Sequence, residues 1–265
     1  MQRIAILALA ALAACSSAPP KPTPAVVAEL APTGKLRAAI NFGNPILASK
    51  DPASGEARGV SVDLSRELAK RLGVPLEVVP FAAAGRVVEA VKTGAWDVGY
   101  VAIDPLRGVD MIQSPAYVVI EGSYLVPADS PIRSNAEVDR EGIRIVVGKG
   151  SAYDLFLTRE IKRAMLVRAP TSPDVVNTML AEKLEVSAGV RQQLEADAKR
   201  VPGVRLLAGR FMVINQAMAV PRGRDAGGRY VRDFIEEMKA SGFVAQALAR
   251  HGVEGAVVAG PDDSR

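Results

Sequence analysis

The chain has 265 residues, of which 49% are hydrophobic, with 33 basic side chains, 29 acidic side chains, one histidine and one cysteine. This composition is typical of one or two globular domains with hydrophobic cores. Basic and acidic residues are interspersed along the chain, which argues against a nucleic-acid-binding surface. One histidine and one cysteine, far apart in the sequence, exclude the usual zinc site and an internal disulfide bond.

The N-terminus is typical of an exported protein. Arg3 precedes an apolar run, residues 4–14, that is too short to span a bilayer and indicates a secretory signal peptide. The run ends in "LAAC", which resembles the lipobox of bacterial lipoproteins. This resemblance implies cleavage after residue 14 and acylation of the Cys15 thiol, and hence a lipid anchor in a bacterial membrane, inner or outer. The alternative is an ordinary signal peptide with an incidental cysteine.

Two terminal segments are predicted to lie outside the folded body. Residues 15–33 are rich in proline, serine and alanine, which favours an extended, semi-stiff tether without a core of its own. Residues 256–265 are expected to form a flexible C-terminal tail.

The body begins with strands that alternate with helices. The stretches "KLRAAIN", "PLEVVPF" and "DVGYVAI" predict strands, and the last is uninterrupted and apolar, as in a parallel sheet that is covered on both faces. Between them, "VSVDLSRELAKRLG" places leucines on one helical face before a terminal glycine, and "GRVVEAVKTG" predicts a second helix. This order indicates an α/β fold.

The same layout starts again at "GIRIVVGKG". Two α/β lobes are therefore predicted: lobe 1 from residues 34–122 and 217–255, and lobe 2 from residues 123–216. The stretches "YVVIEGSYLVP" and "RFMVINQAMAVP" are long enough to cross between the lobes. Because ligands of open α/β sheets bind beyond the carboxyl ends of the strands, we expect the site in the cleft between the lobes.

Four stretches in this order carry a resemblance to a known family: "SGEARGVSVDLSRELAKRLG", "VVEAVKTGAWDVGYVAI", "PLRGVDMIQSPAY" and "VVGKGSAY". From about residue 34 to 252 the chain resembles the bacterial extracellular solute-binding proteins of family 3, the polar amino-acid class that serves ABC importers. The resemblance implies a type II periplasmic binding fold, a periplasmic location, an ABC permease as partner, a small ligand and a monomeric state.

The family resemblance gives Arg107 a role. It implies that this arginine, which follows the third strand, points into the cleft and binds the carboxylate of the ligand. A guanidinium suits this role because it is planar, always charged and able to donate two parallel hydrogen bonds. The alternative is a surface arginine after the turn at Asp104 and Pro105. Asp104 itself is expected to be the structural partner that orients Arg107.

The chain departs from the family pattern where the amino group of the ligand would be held. Val190 occupies the position of the usual aspartate, although Glu185 matches an earlier, structural acid. Because an unpaired buried ammonium is costly, two explanations are left open. Asp104 or Glu121 supplies the acid, or the ligand lacks an amino group, as in a keto acid, an aromatic acid or a dicarboxylate; Arg191 would support the dicarboxylate.

Further candidate ligand contacts follow from the loops at the strand ends. Ala102 stands where the family has a small hydroxyl residue, and Ala152 where it has a threonine. Ser151 is expected either to cap a helix or to hold an anion. The remaining candidates, each with packing or turn formation as the alternative, are Asn41, Phe42, Asn44, Tyr100 and Tyr153.

The sequence lacks the common catalytic motifs that would indicate an enzyme. The sequence has no P-loop, no dinucleotide-binding loop and no G-x-S-x-G motif, so that no cofactor, metal or catalytic residue is assigned. An enzymatic alternative on the same fold is a cyclohexadienyl dehydratase-like protein, which would need an acid such as Glu121 or Asp104 over the leaving group. A second alternative is a lipoprotein that senses a ligand.

Overall fold

A computed structural model describes residues 21–262. The strands are β1 (Leu36–Asn41), β2 (Ser49–Lys50), β3 (Ala57–Arg58), β4 (Leu76–Phe81), β5 (Val98–Ala102), β6 (Met111–Pro127), β7 (Arg144–Gly148), β8 (Met165–Ala169), β9 (Val186–Val190), β10 (Val204–Leu206), β11 (Met212–Pro221) and β12 (Val257–Val258). The α-helices are α1 (Pro24–Leu30), α2 (Val60–Leu72), α3 (Ala84–Ala90), α4 (Ala152–Glu160), α5 (Val175–Ala181), α6 (Arg191–Arg200), α7 (Asp225–Ala240) and α8 (Phe243–Arg250).

The strands confirm the predicted α/β fold with two lobes. Parallel strands β4, β1 and β5 form the sheet of lobe 1, and parallel strands β9, β7 and β8 form the sheet of lobe 2. The long strands β6 and β11 lie between them and pair antiparallel with each other. Hydrogen bonding therefore continues from β5 through β11 and β6 to β9, so that the two parallel sheets are joined rather than separate.

The helices and strands of lobe 1 agree with the predictions from the sequence. Helix α2 buries Leu64, Leu68 and Leu72 against the sheet and ends at Gly73, which adopts a left-handed φ of 69°. All five residues of β5 are buried. Helices α7 and α8 pack on the same lobe, α7 against β6 and β11 and α8 against α2.

The predicted tether differs from the structure, because residues 24–30 form α1. Thr23 caps this helix by accepting a hydrogen bond from the Val26 amide, and proline follows at the first helical position. Val26 and Leu30, four residues apart, are both buried. Leu30 lies where a side chain at Gly227 of α7 would be. The composition of the segment hides this short amphipathic pattern.

The predicted flexible tail differs in a similar way. Val257 and Val258 form β12, which pairs antiparallel with Val119 and Val118 of β6. β-branched residues favour this extended pairing. The segment after α8 is therefore tied to the central crossover strand.

The same ionic contact holds the first and third strands of each lobe together. In lobe 1, the backbone amide and guanidinium of Arg37 bind the Asp97 carboxylate, with Nη2 to Oδ1 at 2.8 Å. In lobe 2, Arg144 binds Glu185 in the same manner, with Nη2 to Oε1 at 2.7 Å. Hydrogen bonds from Arg144 lower the pKa of Glu185. Glu185 is therefore a structural acid, as the sequence predicts.

The two contacts differ in burial, which allows a matched test. The Asp97 side chain is fully buried and also accepts a hydrogen bond from Arg224, whereas 30% of the Glu185 side chain is exposed. Asp97→Ala should lower the free energy of unfolding by about 3–5 kcal/mol, because it leaves the largely buried guanidinium groups of Arg37 and Arg224 without their carboxylate. Glu185→Ala should cost less, since water can solvate Arg144. Urea unfolding followed by circular dichroism measures both, and equal losses would contradict this account.

Candidate ligand-binding site

A small cavity lies between the lobes at the carboxyl ends of the strands, where the fold predicts it. Its volume is about 40 Å³, enough for a few water molecules. Loops and strand ends of both lobes line it, together with the crossover strand β11. The lining residues are Asn41, Gly43, Asn44, Ala84, Tyr100, Val101, Ala102, Arg107, Ser151, Ala152, Tyr153, Ser172, Val190, Ile214 and Gln216.

Arg107 is the charged residue in this wall. It begins a short 3₁₀-helix after β5, and only 2% of its surface is exposed. Its guanidinium donates from Nη1 to the Ala102 carbonyl at 3.1 Å and from Nη2 to the Gly150 carbonyl of lobe 2 at 2.9 Å. Nε has no hydrogen-bond partner. Burial lowers the pKa of Arg107 to about 10, which still leaves it charged at neutral pH. The alternative of an exposed arginine is wrong.

The Asp104 carboxylate makes no hydrogen bond with the Arg107 guanidinium and acts on it only through its charge, which opposes the effect of burial on the Arg107 pKa. This carboxylate accepts from the Leu106 amide at 2.9 Å and from Arg159 of α4 at 3.0 Å. Only the backbone carbonyl of Asp104 contacts the Arg107 amide. The turn holds the Asp104 side chain toward its own backbone, as aspartates in turns commonly do, so that it meets lobe 2 outside the cavity lining.

Glu121 and Arg191, the other charged candidates, bind each other outside the cavity lining. Glu121 accepts from Arg191 at 2.9 Å and from Arg210 at 2.6 Å. The hydrogen bond from Arg210 is the main cause that lowers the pKa of Glu121, and Arg191 lowers it further. The structure therefore brings neither charge to the cavity. Phe42 also lies outside the lining and contacts Lys50, whose Nζ is 5.6 Å from the ring centre.

The remaining predicted residues do line the cavity, but several are already engaged. Asn41 accepts from the Gly43 amide, and Ser151 caps α4 by accepting from the Asp154 amide. The Tyr153 hydroxyl donates to Ser172 at 2.8 Å, and the Tyr100 hydroxyl shares a hydrogen bond with Ser65 inside lobe 1. Ala102 lies at the cavity as expected and contributes its carbonyl to Arg107.

Sequence reasoning missed two polar contributors. Gln216 of β11 is buried, and its side chain makes no hydrogen bond with the residues that the structure describes. The sequence feature that could have indicated Gln216 is a glutamine in a mostly apolar crossover strand. Ser172 was missed because it belongs to a loop without a motif. Val190, singled out as the position of the missing acid, does face the cavity. Asn44 carries a buried Oδ1 without a partner.

Three contacts close the cleft over the cavity. Arg107 binds the Gly150 carbonyl, and Asp104 binds Arg159, each joining one lobe to the other. The third is a contact between glycines: a Cβ atom on Gly85 would lie 3.2 Å from the Gly150 Cα atom. The lobes therefore meet without room for a side chain at this point.

Metal and membrane features are absent from the described part of the chain. Among residues 21–262, no three histidine, cysteine, aspartate or glutamate side chains are grouped so that they could hold a metal ion. In the same range, no helix has the length and apolar character needed to cross a membrane.

A comparison against protein families identifies the family of this chain. Residues 36–254 match the model of the bacterial extracellular solute-binding proteins, family 3. The chain belongs to this family. A comparison of this family-3 chain with curated protein sequences finds no match.

Solved structures similar to this family-3 protein have the type II periplasmic binding fold. The solute receptor for L-cysteine of Neisseria gonorrhoeae is 23% identical, with a TM-score of 0.76 over 86% of this chain and 94% of that chain. A putative ABC transporter binding component from Wolinella succinogenes, complexed with lysine, is 22% identical, with a TM-score of 0.71 over 82% and 95%. An ancestral amino acid-binding protein, described as a precursor of cyclohexadienyl dehydratase, is 20% identical, with a TM-score of 0.72 over 84% and 98%.

The contact between Gly85 and Gly150 predicts that a large side chain at position 85 pushes the two lobes of this family-3 protein apart. Gly85→Leu should keep α3, since leucine favours helices, but its side chain would collide with Gly150. Spin labels on cysteines at the exposed positions Glu89 and Glu160, in a chain without Cys15, should then give longer distances between the lobes. Gly260→Leu, which has open space around it, is the control. An unchanged distance distribution in Gly85→Leu would contradict the closed contact.

Proposed function

We propose that the protein captures a small carboxylate in the cleft and delivers it to an ABC importer on the periplasmic face of a bacterial membrane. The observation that carries this proposal is the buried guanidinium of Arg107, which donates to two carbonyl oxygens and forms no ion pair, the nearby Asp104 carboxylate being bound to Arg159. A buried cation without a directly hydrogen-bonded anion is costly. A carboxylate ligand would compensate the charge through charge-assisted hydrogen bonds.

Hinge motion between the lobes would admit and release the ligand. Beyond β6 and β11, the lobes meet through contacts that a small rotation can break, such as the partly exposed Asp104–Arg159 pair. A ligand that binds groups of both lobes stabilises the closed state and shifts the population toward it. A monomer suffices for this cycle, since both lobes belong to one chain.

The comparisons support transport as the role. The similar structures include receptors for cysteine and a transporter component that binds lysine, so that an amino acid or a related organic acid fits the family. A permease would recognise the closed form of the protein. A sensing lipoprotein would use the same cleft but would report to a different partner, and we place transport first because the similar structures include ABC transporter components.

The positions of Glu121 and Asp104 argue against the dehydratase alternative. That chemistry needs a carboxylic acid beside the ligand. Glu121 is bound by two arginines and Asp104 by a third, and both carboxylates lie outside the cavity lining. The geometry therefore favours binding over catalysis.

Replacing Arg107 tests the proposed function. A thermal-shift screen of carboxylates identifies binders, and titration calorimetry measures their affinity. Arg107→Ala should weaken binding about 100-fold or more, because truncation of a buried charged partner costs about 2–5 kcal/mol. Arg107→Lys should recover only part of this loss, since an ammonium lacks the planar fork.

Arg229→Ala is the matched control, because Arg229 is an exposed arginine of lobe 1 without an ion pair to a described residue. It should bind as the unmodified protein does. The proposal fails if Arg107→Ala leaves the affinity of every identified carboxylate unchanged.

Lipid anchoring is part of the proposal and concerns Cys15, which lies outside the described residues. We expect Cys15 to be the mature N-terminus and to carry acyl chains, because the "LAAC" segment resembles a lipobox. More than one acyl chain would make membrane attachment stable. Cys15→Ala should move the protein from the membrane fraction to the soluble periplasmic fraction. Mass spectrometry of the membrane-extracted protein should detect the modified cysteine, and an equally firm attachment of Cys15→Ala would exclude the anchor.

A further inference from the structure

The cavity between the lobes has one fixed charge, the positive charge of Arg107. No lining residue is an aspartate or a glutamate. The other lining groups are asparagines, serines, tyrosines, a glutamine, apolar side chains and glycine. A ligand with a net charge of −1 would therefore neutralise the site, whereas the ammonium of a zwitterion would meet no counter-charge.

The acidic residues around the cleft are committed elsewhere. Asp104 binds Arg159, and Glu121 binds Arg191 and Arg210. Asp154 binds Arg168 and accepts from the Gly150 amide, at 3.0 and 2.9 Å. Any of these acids could approach an ammonium only by leaving its arginine unpaired. The structure thus argues against the explanation that a neighbouring acid replaces the one missing at Val190.

Charge and size also argue against larger acids. A dicarboxylate would need a second cation, but Arg191 binds Glu121 and does not line the cavity. The cavity of about 40 Å³ between the closed lobes favours a small ligand over an aromatic acid. A short chain with a single carboxylate is left as the ligand that matches both the charge and the volume.

Neutral polar groups are available for a second substituent of such a ligand. The Gln216 amide makes no hydrogen bond with the described residues, and Asn44 has a buried Oδ1 without a partner. Both carbonyl oxygens can accept a hydrogen bond, and the Gln216 amide can also donate one. A hydroxyl group, which donates and accepts, would satisfy them without bringing a charge into the cavity.

We infer that the ligand is a short 2-hydroxy monocarboxylate rather than an α-amino acid. This inference rests on the proposed function and names the ligand class of the same cleft. Arg107 binds the carboxylate, and the neutral amides of Gln216 and Asn44 bind the hydroxyl group. Val190 excludes the ammonium of an amino acid, because its apolar side chain stands at the cavity without a compensating charge.

Pairs of acids that differ only at carbon 2 test this inference. Glycolate is compared with glycine, and each enantiomer of lactate with the same enantiomer of alanine, by titration calorimetry of the purified protein. The preferred hydroxy acid should bind about 100-fold or more tightly than its amino counterpart, because the amino acid would bury an unpaired ammonium. Arg107→Ala should abolish the binding of that hydroxy acid.

A charge introduced at Val190 provides the converse test. Val190→Asp should raise the affinity for alanine and lower that for lactate, since the new carboxylate pairs with an ammonium and repels a second anion. Val190→Asn is the matched control. Val190 is the N-cap residue of α6, where aspartate and asparagine are equally suitable caps, so the two variants differ in charge rather than in helix stability. Val190→Asn should not reverse the preference.

The outcomes separate this inference from the proposed function. If an amino acid binds at least as tightly as its hydroxy counterpart and loses affinity in Arg107→Ala, the ligand class is wrong and the proposed function stands. If none of these short acids binds but a larger carboxylate does so through Arg107, the inferred ligand class is wrong, together with the argument from charge and volume, and the proposed function stands. If no carboxylate binds at all, the proposed function fails and this inference with it.

Discussion

The antiparallel pairing of β6 with β11 is the constraint on which the other parts of the molecule depend. The pairing runs from Met111 opposite Pro221 to Gly122 opposite Met212, with irregular register near Ala217. On one side it continues into the sheet of lobe 1, and on the other into that of lobe 2. Because both crossovers belong to one ladder, the lobes can rotate about it but cannot separate.

The two lobes repeat one plan and differ where the strands end. Arg37 with Asp97 and Arg144 with Glu185 fix the amino ends of equivalent strands. At the opposite ends the equivalence is lost, because β5 leads to the buried Arg107, whereas β9 ends in the uncharged Val190. The cavity therefore receives its charge from lobe 1, and lobe 2 contributes hydroxyl groups and the Gly150 carbonyl. Repetition stabilises the framework, while divergence at the carboxyl ends determines the chemistry.

Local patterns made much of the fold predictable. The apolar run of β5, the leucine face of α2 and the two crossover stretches are each visible within a short window of sequence. The position of the cavity followed from the α/β architecture, whereas the place of Arg107 in the cleft was implied by the family resemblance. The other features depend on neighbours in the chain or on general rules of topology.

The pairing of charged side chains could not be predicted, because the partners lie far apart in the sequence. Asp104 meets Arg159 across 55 residues, and Glu121 meets Arg210 across 89 residues. Such partners depend on how the two lobes approach each other, which no local periodicity encodes. Helix α1 was missed because two turns of amphipathic pattern were masked by the surrounding prolines and alanines.

The docking of α1 has a consequence for the geometry of the protein at a membrane. Glu29 accepts hydrogen bonds from Arg224 through its carbonyl and from the Gly227 amide through its carboxylate, so that the helix is fixed to lobe 1. With acylation at Cys15, the stretch from Cys15 to Thr23, even if fully extended, could span at most about 30 Å. Lobe 1 would then be held near the lipid surface at a limited range of orientations. Because α1 is fixed to lobe 1, lobe 2 would be the part that moves relative to the membrane when the cleft opens.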